Sequence, residues 1–388
     1  MSAATVASTV LLLFGLAVVY WIHTRHYLNI IVDPVRIGAP GPLISVCVPA
    51  RNEARTIAAC VEAIFAQTYP HLETIVIDDR STDATPRILA NLHSTFPSLI
   101  VVEGAPLPPG WAGKPHALYQ AASRAKGAWL CFVDADTILS PEALASCYTK
   151  ALETQADLFT ILTRQLTGSF WEKVLMPIVM SALSVGFPPR RINDPRLRDA
   201  IANGQFILIR RDVYDAVGGH LRIKDQIVDD KALAQLVKRT GRRLILADGR
   251  HVARTRMYTS LPEMWEGWTK NIYLGLRDQP ASLFLGAFGA LLLVAAALLL
   301  PLWPILGFYW FLHGAGWMAL AVIFESLLLW TVILFTRARV AHAMGISRAY
   351  AWTTPLGSGL FAAMMLTSAW KVLSGRGVTW RGRTYTQL

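Results

Sequence analysis

Residues 281–335 contain one acidic residue, Glu325, and no Lys or Arg. No other feature of the sequence narrows the fold so far. A helix rises 1.5 Å per residue, so a stretch of this length overruns the roughly 30 Å apolar core of a bilayer. The stretch therefore reads as two membrane helices, with a break near 301–315, where Pro301 and Pro304 punctuate it. An ionisable residue inside such a span marks a functional group or a water-filled groove, and Glu325 has no evident partner in the sequence.

Two further apolar segments flank the chain. Residues 5–22 carry no charge, and Trp21, His23, Arg25 and His26 follow them rather than a cleavage site of small residues. This pattern predicts a retained N-terminal anchor over 1–24 and, with Arg25 and Arg36 beyond it, places the following residues in the cytosol. A third apolar stretch covers 352–373 and precedes a basic tail, 374–388. Three full spans after a cytosolic domain put the C-terminus outside, whereas Lys371, Arg376, Arg381 and Arg383 argue for inside. A re-entrant or interfacial stretch would reconcile the two. The expectation is a multi-pass protein of the cell membrane.

The remaining residues, 38–280, are long enough for one large domain with its own core. The formal net charge is +11. Basic residues near membrane spans and a phosphate-bearing substrate account for it, and without a basic-aromatic binding module nucleic acid is not an expected partner. Cys47, Cys60, Cys131 and Cys147 form no CxxC pair, so they read as buried free thiols rather than zinc ligands.

Strand and helix alternate through the first part of this domain. The apolar, β-branched run at 43–49 reads as a buried strand, those at 73–77, 99–103 and 128–133 read as further strands, and 54–67, 84–95 and 115–126 read as helices. That alternation predicts an α/β fold with a mostly parallel sheet, in which ligands bind beyond the carboxyl ends of the strands.

Three acidic clusters stand out. Asp78-Asp79 closes a strand, although DDRSTD is also good turn and helix-capping chemistry. Asp134-Ala135-Asp136 follows the run AWLCFV, and two carboxylates so placed can share one hard cation, Mg²⁺ or Mn²⁺, that bridges phosphate oxygens. Asp229-Asp230 precedes KALAQLVKR and reads either as an acidic pair favoured by a helix N-terminus or as a general base.

Taken in order, VPARNEA (48–54), VIDDRSTDAT (76–85), GKPHAL (113–118), FVDADT (132–137), NGQFILIRRDVYDAVGGH (203–220) and VDDKALA (228–234) resemble the family 2 glycosyltransferases. The resemblance implies a GT-A nucleotide-sugar-binding domain and an inverting transfer, with a UDP-sugar as the family's default donor. It implies contacts from Asp78, Asp79 and Glu53 to the base and ribose, and from Lys114 to the diphosphate or base. Asp134 would face the ribose and the metal, and Asp136 would ligate the metal. Asp230, preceded by Asp229, would be the base, and Gly204 and Gln205 would line the acceptor side. The QxxRW string of the family's membrane polysaccharide synthases is missing. MWEGWTKN (264–271) stands nearby, so Trp268 and Lys270 are candidates for that aromatic and cationic work or, alternatively, for membrane anchors.

The layout of an N-terminal anchor, a cytosolic domain and a C-terminal apolar bundle is similar to the ceramide-glucosylating branch and to bacterial carotenoid and hopanoid glycosyltransferases. The tail VTWRGRTY (378–385) also resembles that branch, and it makes Arg381 and Arg383 candidates for meeting phosphates. The expected reaction is sugar transfer to a lipid-type hydroxyl in glycolipid biosynthesis. Synthesis of a polyprenyl-phosphate sugar or of a polysaccharide is the alternative, and a membrane scaffold with a degenerate transferase domain is the reading from outside this chemistry. Residues 170–189, apolar but interrupted by Pro177, read as an interfacial helix that guides a lipid acceptor.

Overall fold

The computed structural model describes residues 30–35, 41–276, 280–380 and 383–385, together with 6, 9, 10, 12, 13 and 15–17. The chain divides into two compact units. An α/β unit comprises Leu28–Leu166, Pro189–Met257 and Thr379–Leu388. A helical unit comprises Met1–Tyr27, Thr167–Pro188 and Tyr258–Val378.

The α/β unit is built on β1 (Ile44–Ala50), whose sequence ISVCVPA is buried almost throughout. A near-continuous apolar run is what a parallel strand covered on both faces requires. β2 (Leu72–Asp78) lies parallel on one side of β1 and β4 (Trp129–Phe132) parallel on the other, with β3 (Leu99–Glu103) beyond β2. The sheet continues through β8 (Ile207–Arg210), β6 (Leu158–Leu162) and β9 (Leu244–Asp248), in the order β3-β2-β1-β4-β8-β6-β9. β8 runs antiparallel to both its neighbours, while β6 and β9 are parallel. Successive connections from β1 leave towards opposite edges, so the crevice between β1 and β4 is the topological switch point at which open α/β sheets bind ligands.

The first helices fall where the apolar spacing puts them: α1 (Ile57–Phe65), α2 (Thr85–Thr95) and α3 (Gly113–Arg124). β1 extends one residue past Pro49, the residue at which the sequence ends it. Apolar periodicity carries no information on strand direction, so the antiparallel β8 is a finding of the structure. A second sheet joins β5 (Thr137–Leu139), β10 (Ala253–Thr255) and β7 (Arg164–Gln165), with Thr255 opposite Thr137. All four cysteines are buried and free. Burial pushes the Cys47 thiol up to about 12, so it is inert as a nucleophile.

The helical unit contains α5 (Phe170–Gly186), α10 (Leu261–Leu276), α11 (Pro280–Leu312), α12 (Gly316–Ala343) and α13 (Thr354–Leu373), the last preceded by a 3₁₀ turn. Four shorter helices of the α/β unit complete the set: α4 (Ala143–Glu153), α6 (Pro189–Asn193), α7 (Arg211–Ala216) and α8 (Gly219–Arg222), followed by α9 (Asp229–Arg239). α11 runs through Pro301 and Pro304, and the chain breaks only at 313–315. Among the described residues, two helical stretches are long and apolar enough to cross a membrane, Gly316–Ala343 and Arg348–Leu373. Both lie in the C-terminal part. The N-terminal anchor expected over 1–24 falls largely outside the described residues. Glu325 does gain a partner: Thr9 Oγ1 donates to its Oε1 at 2.8 Å.

α5 starts with a capping box between Ser169 and Glu172. Pro177 has no N–H to give the carbonyl four residues earlier. Arg337 of α12 supplies donors instead, with Nη2 at 3.2 Å from the Lys173 carbonyl and 2.9 Å from that of Val174. A Cβ on Gly357 of α13 would lie 2.5 Å from Ile178 and 3.0 Å from the Val174 carbonyl, so the two helices abut. The stretch read as an interfacial helix is therefore divided. Val179 is 1% exposed, inside the packing, while Leu183 is 36% exposed.

Gly127, just before β4, donates its N–H to Ser45 Oγ at 2.7 Å, and a Cβ there would stand 2.6 Å from the Ser45 backbone nitrogen. Gly127→Ala is expected to destabilise the α/β unit by about 1–3 kcal/mol through overpacking. A lowered melting temperature checks this. Unchanged melting would mean that β1 and the approach to β4 are not packed this tightly.

Candidate active site

The β1–β2 register places Ala50 beside Asp78, so the loops that follow the two strands leave the sheet together. They knit by hydrogen bonds. Asn52 N–H donates to Ser81 Oγ at 2.9 Å, Thr82 N–H to Asn52 Oδ1 at 2.8 Å, Glu53 N–H to Thr85 Oγ1 at 2.9 Å and Ala54 N–H to Asp83 Oδ2 at 3.1 Å. Asn52 and Arg80 both adopt left-handed backbone, with φ of 54° and 56°. RNEA and DDRSTD thus form one surface at the strand ends.

Within that surface the two aspartates differ. Asp78 accepts the Ser81 N–H at 3.1 Å, which is the turn chemistry anticipated for DDRSTD. Asp79 is 4% exposed, and its carboxylate is held by both terminal nitrogens of Arg383, at 2.5 and 3.0 Å. Glu53 Oε2 accepts the Thr56 hydroxyl at 2.9 Å.

The other acidic clusters converge on one cation. Lys114, in the first turn of α3, places Nζ 2.6 Å from Asp134 Oδ1 and 4.0 Å from Asp229 Oδ1. Asp230 accepts the Gly204 N–H at 3.0 Å and the Lys231 N–H at 2.7 Å. A Cβ on Gly204 would lie 2.8 Å from Lys114 Nζ, 3.3 Å from Asp230 Oδ2 and 3.4 Å from Asp134 Oδ2, so only glycine leaves room for these charges to meet. Burial opposes the Lys114 charge, but Asp134, Asp229 and Asp230 outweigh it and hold the ammonium above its usual range. Burial pushes the Asp230 carboxyl up, against Lys114 and the two backbone N–H donors.

Asp136 is the least compensated of the set. Burial first, then Asp134 and Glu53, raise its carboxyl to about 7, against Lys114 and a hydrogen bond from Thr255. Its Oδ1 is enclosed and has no hydrogen-bond partner. Thr255, fully buried on β10, also donates to the Asp136 carbonyl at 3.0 Å and so ties the DAD turn to the second sheet.

Gln205 is buried, and its Oε1 accepts from Thr163, from Gln165 at 3.2 Å and from Asn203 at 3.2 Å, which leaves the amide nitrogen as its remaining group. Trp268 and Lys270 lie on α10 of the helical unit, a different compact unit from the other candidates. The Trp268 ring is 5% exposed and packs edge-on against Tyr258 at 6.0 Å. Sequence reasoning missed Thr163, Gln165, Asn203 and the role of Thr255. Asn203 stood inside the NGQF motif without a role assigned to it, and Thr163, Gln165 and Thr255 carried no local signal beyond lying in or beside the short strands β7 and β10.

Among the described residues no group of three or more His, Cys, Asp or Glu is arranged to hold a metal by itself. Asp134 and Asp136 nevertheless fit a phosphate-bridging cation. Mg²⁺ is usually held by one or two carboxylates with substrate phosphates supplying further oxygens, and the enclosed Oδ1 of Asp136 lacks any other partner. Asp136→Asn removes a poorly compensated buried charge. In chelator it is expected to raise the melting temperature by about 2–4 °C, on the order of 1 kcal/mol. A lower melting temperature would show that the Asp136 charge is stabilising as it stands.

Comparison with known proteins agrees with this geometry. Residues 45–218 match the family model described as glycosyl transferase family 2, a span that includes Asp134 and Asp136 and ends before Asp229. The chain is 28% identical over 242 residues to the 4,4'-diaponeurosporenoate glycosyltransferase of Staphylococcus aureus strain USA300, covering 60% of this chain and 61% of that protein. The same enzyme from strain RF122 is 29% identical over 241 residues, with the same coverage. The chain thus spans under two thirds of these relatives' length. In fold it resembles the mannosyltransferase PcManGT of Pyrobaculum calidifontis, determined with GDP-Man and Mn²⁺, with a TM-score of 0.53, 19% identity and coverage of 96% and 98% of the two chains. The hydrogen-bonded strand-end loops and the DAD turn lie on a GT-A-like, mostly parallel sheet, and residues 45–218 are similar to the family 2 glycosyltransferases.

Proposed function

We propose that the chain transfers a sugar from a nucleotide-sugar to a hydroxyl of a lipid-type acceptor, with inversion at the anomeric carbon. The observation that carries this reading is the convergence of Lys114, Asp134, Asp229 and Asp230 on the Gly204 backbone. A site with one cation among several carboxylates, at the switch point of an α/β sheet, suits a ligand with a phosphate end and a polyhydroxylated end.

In this reading the acceptor oxygen attacks the anomeric carbon while its proton passes to the Asp230 carboxylate. The bond from the anomeric carbon to the diphosphate oxygen breaks, and its electron pair leaves with the nucleoside diphosphate. Attack and departure on opposite faces invert the centre. Burial raises the Asp230 carboxyl, which makes its anion a better proton acceptor. The Gly204 and Lys231 N–H groups fix the carboxylate's orientation. Lys114 offsets the negative charge that the donor brings. Asp134 and Asp136 would hold a Mg²⁺ or Mn²⁺, which supplies charge neutralisation for the leaving diphosphate when bound. Asp78, Asp79 and Glu53 meet the nucleoside, UDP being the family default, and Gly204 and Gln205 line the acceptor side.

The acceptor class follows from two supports. The curated relatives are named as 4,4'-diaponeurosporenoate glycosyltransferases, which supports the lipid class of the acceptor and not the identity of its attacking oxygen. The chain also carries two helices of membrane-spanning length and apolarity. The proposed location is the cell membrane, multi-pass, with the catalytic domain in the cytosol between an anchor over 1–24 and the C-terminal helices.

Purified protein in detergent is expected to release nucleoside diphosphate from one sugar nucleotide in a lipid-stimulated, metal-dependent way, with a glycolipid product of matching mass. Asp230→Asn is expected to lower kcat by about 10²–10⁴ and leave donor binding within a few-fold. Full activity of Asp230→Asn with a polyprenyl phosphate would instead establish a phosphate acceptor, which needs no base. Absence of release with every donor, lipid and metal would remove the enzyme reading.

A further inference from the structure

The Asp79–Arg383 pair joins residues 304 positions apart. Arg383 lies on β12 (Arg383–Tyr385), which pairs with β11 (Val378–Trp380) in a hairpin after the last helix of the chain. Both partners belong to the α/β unit. The contact has the bidentate geometry that gives Arg–carboxylate pairs their strength and directionality. It is also enclosed, with side chains 5% and 17% exposed, so solvent screens it less than a surface pair.

The rest of Asp79 is fixed as well. Its N–H donates to the Ala50 carbonyl at 2.7 Å, and its own carbonyl accepts from Arg51 at 2.6 Å. Backbone and side chain are thus clamped from three directions, two of them from the strand-end loops and one from the far end of the sequence. His116 on α3 shares the surroundings. Burial holds its imidazole below the usual range, Asp79 opposes this and Arg383 adds to it. A carboxylate has about four lone-pair positions, and a bidentate guanidinium uses two. Asp79 can therefore still accept N–H or O–H donors from a ligand, beside a guanidinium that repels protonation of His116. A neutral imidazole, an oriented carboxylate and a guanidinium side by side form an edge suited to a nucleobase or ribose.

We propose that Arg383 is a positioning residue of the donor site: its guanidinium orients the Asp79 carboxylate that receives the nucleoside of a nucleoside-diphosphate sugar, so that the C-terminal hairpin is a working part of that site. This assignment rests on the donor reading given above. Arg383 thereby meets a carboxylate rather than the phosphates expected of the tail, and Arg381 lies outside the described residues.

The test uses the full chain in detergent. Binding of UDP and GDP in the presence of Mn²⁺ is measured by calorimetry for wild type, Asp79→Asn, Arg383→Gln, Arg383→Lys and the double variant Asp79→Asn/Arg383→Gln, with thermal melts to verify folding. Arg383→Gln is expected to weaken binding of the preferred nucleotide about tenfold or more, the scale of a lost charged hydrogen bond. Donor KM is expected to rise by the same factor, with kcat within about twofold. Arg383→Lys, which keeps the charge but loses the fork, is expected to recover part of the loss. The double variant is expected to bind no more weakly than the poorer single variant, because the two side chains act as one unit.

Unchanged affinity in folded Arg383→Gln, with Asp79→Asn still weakened, would overturn the proposal and leave the donor reading intact. Tighter binding in Arg383→Gln would overturn it too, by showing that the tail competes with the nucleotide for Asp79. If wild type binds neither nucleotide and Asp79→Asn changes nothing, the donor reading itself falls.

Discussion

The active-site geometry depends on a single ammonium. Lys114 stands between Asp134 and Asp229, with Asp230 close behind, and three carboxylates so near each other repel unless a cation separates them. Each of these groups is delivered by a different element: Lys114 by the start of α3, Asp134 by the end of β4, Asp229 and Asp230 by the start of α9. The cation is therefore also what brings the ends of three elements to one point. Gly204 completes the arrangement by having no side chain where the charges meet.

The parts of the fold that follow a local pattern were legible. Apolar runs marked β1 to β4 within a residue or two; β1 and β4 are buried almost throughout, as strands covered on both faces must be, while the edge strand β3 is mostly exposed and kept its signal through its β-branched residues. The strand-end position of Asp78 and Asp134 was legible for the same reason. What could not be read was pairing at a distance. Nothing in FILIR says that β8 runs antiparallel between β4 and β6. Nothing near Thr255 says that it will close over the DAD turn. Those facts depend on register between segments far apart in the sequence, 119 positions for Thr255 and Asp136.

The candidate site shows the same division. The acidic clusters carry their own local signal, a strand followed by carboxylates, and the structure gathers two of the three around Lys114. Asp79 was placed at the strand end, but its partner Arg383 sits in a stretch whose charge and tryptophan already had a sufficient explanation as a membrane-proximal tail. Trp268 carries a more ambiguous local signal. An aromatic beside a lysine suggested a ligand-facing pair, yet the ring is enclosed against Tyr258, because a large apolar side chain on a packed helix gains more from burial than from exposure.

Arg337 bears on how orientation in a membrane is reckoned for this chain. Counting Lys and Arg at the ends of apolar helices assumes that each charge is free to meet lipid headgroups. Arg337 is 7% exposed, and one arm of its guanidinium is engaged with the Lys173 carbonyl, which Pro177 leaves open in α5, and with the neighbouring Val174 carbonyl. Its charge is spent on mending a helix. An orientation tally for α12 that includes it counts one cation too many.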